Sequence, residues 1–129
     1  MRRRLLVALK PLDGIPVENR VGPGTPDVNF IGGWAELKWL RAWPRKGGAV
    51  HLPHYTKGQR LWMRRRALRG GLVLLVLQVQ KQWLFFNWEY AYEHVGIDAT
   101  KIDMEENAIR HFRTGLDNKG LVSWLKSLS

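Results

Sequence analysis

Asp27, Glu36 and Lys38 are the residues of this chain whose types and spacing suit chemistry. Two carboxylates held side by side make a seat for a hard divalent cation. Mg²⁺ takes oxygen ligands at about 2.0–2.1 Å and is usually held by one or two carboxylates with waters and substrate phosphate oxygens. A cation there polarises a phosphoryl oxygen and acidifies a bound water, and an adjacent ammonium orients that water or stabilises charge developing in the transition state. The reaction class such an arrangement implies is phosphodiester hydrolysis. Read without chemistry, the same residues are a cross-strand Asp–Lys ion pair of small value on a solvated face.

The flanking residues must bring the three together. Residues 24–31 and 34–40, joined by Gly32-Gly33, predict a β-hairpin, because glycine adopts the positive φ of a two-residue loop at no steric cost. With Ile31 opposite Trp34, Asn29 falls opposite Glu36, Val28 opposite Leu37 and Asp27 opposite Lys38. Val28, Phe30, Ala35 and Leu37 then share one face, and Asp27, Asn29, Glu36 and Lys38 share the other. Asp27 and Glu36 become diagonal neighbours, with Cα atoms roughly 7 Å apart.

Pro26-Asp27, followed after eight residues by Glu36-Leu37-Lys38, resembles the signature of the PD-(D/E)XK nuclease superfamily. The order Gly24-Thr25-Pro26-Asp27, Glu36-Leu37-Lys38 and then Gln59 on a helix is similar to that of small stand-alone VRR-NUC nucleases and other virus-encoded members. The resemblance covers about residues 18–80. It implies a single-domain, restriction-endonuclease-like α/β fold, a mixed β-sheet flanked by helices, and a metal-dependent DNA endonuclease selective for junctions, flaps or nicks. Asp27 and Glu36 would bind Mg²⁺ or Mn²⁺, the Leu37 carbonyl would complete the site, and Lys38 would assist the attacking water. Glu18 is the candidate for a further acid from an upstream element, with Asp13 as a substitute, although Pro11, Gly14 and Pro16 interrupt any long helix leading to it. The implied setting is the cytoplasm of a bacterial or phage-infected cell.

Composition agrees with a polyanionic partner. Twenty-one Lys and Arg stand against eleven acids, for a net charge of +10. Such an excess favours nucleic acid, because neutralised phosphates release counterions. Carboxylates repel phosphates unless a metal intervenes, so an acidic pair within a basic chain suits a metal nuclease. At 129 residues, with 45% hydrophobic content, the chain is long enough for one domain and short for two. That domain spans 1–129, with a core at about 18–88 and C-terminal helices at about 103–128. The absence of cysteine excludes disulfides and thiolate metal sites. The apolar run at 72–77 is far below the ~20 residues that span a bilayer, and a soluble, cytoplasmic protein is expected.

Two stretches, 10–25 and 43–55, are rich in proline and glycine and read as loops. The second, with Arg45, Lys46, His51 and His54, either touches a nucleic-acid backbone or is a solvated connection. Thr56-Lys57-Gly58-Gln59 opens a helix in the capping-box pattern, and Gly70-Gly71 ends it. Gln59 thus has a capping role and, by the resemblance, one beside the site. Leu61, Ala67 and Leu68 with Trp62 or Met63 make the expected buried stripe. Lys57, Arg60 and Arg64 fall on another face, where they are candidates for phosphate contact.

Residues 72–79 read as a buried strand and 83–87 as the next, after a turn at Lys81-Gln82, which gives a sheet with a parallel crossover. Residues 103–112 and 120–128 are expected helices. The apolar side of the last, with Leu121, Val122, Trp124, Leu125 and Leu128, packs on the core or on a second subunit of a homodimer. Two other functions remain open: a non-catalytic basic nucleic-acid-binding module, and a small assembly protein whose charge serves packaging.

Overall fold

A computed structural model describes residues 1–17 and 24–128 of the chain. The run read as a buried strand is β4 (Leu72–Val79), apolar on both faces: Leu74 and Val76 enter one core cluster, and Val73, Leu75, Leu77 and Val79 the other. A strand of that composition needs cover on both sides. One layer is α1 (Arg2–Ala8) and α5 (Asn118–Ser127), contributing Leu5, Ala8, Leu121, Val122 and Leu125. The other is α2 (Lys57–Leu68), α3 (Trp88–Glu93) and α4 (Lys101–Asn107), contributing Met63, Ala91 and Met104.

Between them lies one six-stranded mixed sheet in the order β1-β2-β3-β4-β5-β6. Its members are β1 (Ile15–Pro16), β2 (Val28–Phe30), β3 (Gly33–Leu40), β4, β5 (Gln82–Asn87) and β6 (Arg110–Phe112). Only β3 and β4 are parallel, from Gly33↔Leu72 to Leu40↔Val79, with α2 as the crossover. The chain is a mixed α/β domain, as expected. Among the described residues no helix is long and apolar enough to cross a membrane.

Several local expectations are corrected. The hairpin bends at Ile31-Gly32, not Gly32-Gly33: Phe30 pairs with Gly33 and Asn29 with Trp34, and Gly32 carries the positive φ of 102°. Gly33 is a glycine for a different reason, since a Cβ there would lie 2.7 Å from the Leu72 carbonyl oxygen of β4. The β4–β5 turn falls at Gln80-Lys81, one residue early, with Gln80 at φ 54°.

The helix expected over 103–112 ends at Asn107. It is started by a Thr100–Asp103 capping box, and residues 110–112 leave it to pair with β5. There Phe112 packs edge-on to Phe85, 5.9 Å between ring centroids, a contact a continued helix would forfeit. The last helix starts earlier than expected, capped by Asp117, and its apolar side packs on the core with Trp124 against Phe85 at 5.6 Å.

Candidate functional site

The register slips by two residues relative to the expected one, and a slip of two keeps every side chain on its own face. Val28, Phe30, Ala35 and Leu37 accordingly meet the α1/α5 layer, while Glu36 and Lys38 turn toward α2. Val28↔Ala35 is the last ladder pair, and extending the register sets Asp27 directly across from Glu36, where a diagonal relation was expected. Asp27 leaves the strand in a bend, and its carboxylate takes the next ladder position, accepting from the Leu37 N–H at 3.0 Å. A strand residue points its N–H and C=O to the same side. The Leu37 carbonyl therefore faces the edge where Asp27 lies.

Glu36 is 1% exposed and Lys38 8%. The Lys38 ammonium stands 3.2 Å from Glu36 Oε1 and donates to the His54 carbonyl at 2.8 Å. Glu36 Oε1 has that ammonium as its ion-pair partner, and Oε2 makes no hydrogen bond. Burial, and next the charge of Asp27, push the Glu36 carboxyl up to about 7 against the opposing pull of Lys38. A buried acid built only for stability is hydrogen-bonded on both oxygens, because an unsatisfied one is costly. A buried carboxylate with one oxygen left unpaired, beside a second carboxylate and a backbone carbonyl, is a donor set that would suit a hard cation such as Mg²⁺ or Mn²⁺. Among the described residues no group of three His, Cys, Asp or Glu side chains gathers, so Asp13, exposed after the 3-10 turn Lys10–Leu12, does not join the pair. Glu18 lies outside the described residues.

The start of α2 closes over this edge. Gly24, at φ 82°, sits so near that a Cβ would clash with the Gly58 carbonyl and approach the Gln59 nitrogen within 2.7 Å. Only glycine lets the loop bearing Pro26 and Asp27 touch the helix N-terminus. Gln59 makes the capping box in full: its Oε1 accepts from the Thr56 N–H at 2.9 Å, and its own N–H donates to Thr56 Oγ1 at 3.2 Å.

The basic residues divide. Lys57 and Arg64 are exposed on α2, the latter 5.9 Å from the Tyr92 ring, and Arg45 and Lys46 are exposed on the loop after β3. Arg60, expected beside Lys57 and Arg64, turns inward. It donates to the carbonyls of Ala91 at 2.8 Å, Tyr92 at 3.2 Å and Val95 at 2.6 Å, and lies 3.9 Å from the centre of the Tyr55 ring. The true inner stripe of α2 is Arg60, Met63 and Ala67, whereas Leu61 and Leu68 are 44% and 64% exposed. Arg60 wins an inner place because the end of α3 offers it carbonyls that no leucine could satisfy.

Sequence reasoning did not single out Tyr55. It is buried 6.0 Å from Lys38 Nζ, donates its hydroxyl to Met63 Sδ at 3.2 Å, and helps wall the site. Nor is the loop at 43–55 a plain solvated connection: Val50, Leu52 and Tyr55 are core residues, and the Val50 N–H donates to the Ala99 carbonyl at 2.9 Å. The near-alternating apolar residues of that stretch were the available signal. No protein-family model matches the chain, and no curated protein matches it.

Proposed function

We propose that the chain is a metal-dependent deoxyribonuclease of the PD-(D/E)XK type, an endonuclease acting on DNA phosphodiesters. The observation that carries this reading is the buried Glu36 carboxylate held between a second carboxylate, Asp27, and the Lys38 ammonium, with its carboxyl pushed up to about 7. Asp27, Glu36 and the Leu37 carbonyl would hold Mg²⁺ or Mn²⁺, which supplies charge neutralisation at the phosphoryl oxygens and a more acidic water. Asp27 stays oriented through its bond from the Leu37 N–H. Lys38, anchored by the His54 carbonyl, keeps an ammonium proton available for the attacking water or for charge developing on the phosphate. Gln59 holds the helix start, and through Gly24 the Asp27 loop, in register with β3. Exposed Lys57, Arg64, Arg45 and Lys46 supply the sequence-independent phosphate contacts.

The test is incubation of purified protein with labelled linear, branched and single-stranded DNA in Mg²⁺, Mn²⁺ or EDTA. Cleavage in either metal and none in EDTA is expected. Binding that persists in EDTA with no cleavage under any condition would identify a non-catalytic nucleic-acid-binding module instead.

A further inference from the structure

Past Ala35, the β2-side edge of β3 carries no strand among the described residues, while β4 occupies the other edge along its whole length. A groove of about 440 Å³ runs there, lined by five consecutive residues, 37–41, and by residues 51–54. Successive strand residues point to opposite faces, so a groove that touches all five follows the edge itself. It begins at Leu37 and Lys38, beside the carboxylate pair.

Trp39 is among the residues that line this groove. Of the seven tryptophans it alone is exposed, at 61%. An indole beside a cleft offers a flat π-face on which a base can stack. Its lining is apolar at Leu52 and Pro53, basic at Lys38 and Arg41, and includes His51 and His54 with no carboxylate.

We propose that this groove seats an unpaired nucleotide of the DNA, with its base stacked on Trp39 next to the scissile phosphate. The proposal rests on the hydrolase reading and adds to it a base-binding subsite. A base inside a continuous duplex has both faces covered by its neighbours, whereas a flap, fork or frayed end presents an open π-face to an aromatic side chain. The basic lining and the net charge of +10 match the phosphates on either side of that base. The preference for branched DNA that the resemblance implies would then rest in part on this ring.

Binding in EDTA at one fixed salt concentration, by fluorescence anisotropy, tests this with a forked duplex and a fully paired duplex of equal length. The wild-type chain should bind the fork more tightly. Trp39→Ala should weaken fork binding about tenfold and duplex binding by less than about twofold, and Trp39→Phe should retain most of the preference. Forks whose unpaired arms are abasic should bind the wild type and Trp39→Ala alike. Equal affinities of wild type and Trp39→Ala for the fork, or equal losses on fork and duplex, would overturn the stacking role. A chain that cuts DNA in Mg²⁺ yet is indifferent to Trp39 loses only this inference. A Trp39-dependent fork preference without cleavage in any metal would instead remove the hydrolase reading.

Discussion

Glu36 illustrates how much one side chain can be asked to carry. Its neighbours conflict: burial and Asp27 favour the neutral form, and Lys38 favours the charged one. With the folded carboxyl at about 7 and the ordinary value at 4.5, the folded metal-free chain keeps a proton over that interval that the unfolded chain has released. Stability contributed by this group therefore falls as pH rises through the window, by on the order of 3 kcal/mol. In EDTA, the melting temperature of the wild type relative to Glu36→Gln should drop between pH 5 and pH 8; a pH-independent difference would contradict the site's electrostatics. Lys38→Ala should lower cleavage at least about a hundredfold, as measured on a saturating DNA substrate, because the charge it stabilises develops only in the transition state. That Asp27, Glu36 and Lys38 share a neighbourhood was legible from the alternation of apolar and charged residues alone. The slip of two was not, because Ile31-Gly32 and Gly32-Gly33 satisfy the rule for a tight bend equally well. Leu72, far along the chain, settles the choice by demanding a missing Cβ at position 33.

At the scale of elements, α2 is both crossover and site wall, and its cations do different work. Arg60→Ala removes three hydrogen bonds to the end of α3 and the stack on Tyr55, and should lower stability by roughly 2–4 kcal/mol in a denaturant titration. Lys57→Ala and Arg64→Ala, whose side chains are exposed, should leave the midpoint nearly unchanged while weakening DNA binding. A similar stability loss in all three would contradict this division. The helix boundaries were readable because Thr56, Gln59 and Gly70 act locally. Its inner face was not, because a leucine signals burial by composition, whereas Arg60 is drawn inward by carbonyls of a helix that follows some thirty residues later. The same limit explains β6: residues 110–112 look helical until β5 supplies an edge.

For the molecule as a whole, a mixed sheet with one parallel crossover and helices on both faces was legible, since β4 is apolar on both sides and follows a capped helix directly. The two-layer cover was only half visible. α1 begins with three arginines and contributes just Leu5 and Ala8 as buried residues, too few to stand out as a periodic stripe. A net charge of +10 implies that affinity for DNA should fall steeply with salt. A plot of log affinity against log salt measured in EDTA should be linear with a clearly negative slope, and Glu36→Gln should keep it, since that residue binds no phosphate itself. The most direct test of the account is cleavage of a forked DNA by wild type and Glu36→Gln purified identically, in Mg²⁺ or Mn²⁺, with binding of the same DNA followed in EDTA. The account predicts wild-type cleavage reduced at least about a hundredfold in the variant while its DNA affinity is preserved. Cleavage by Glu36→Gln at the wild-type rate would contradict it.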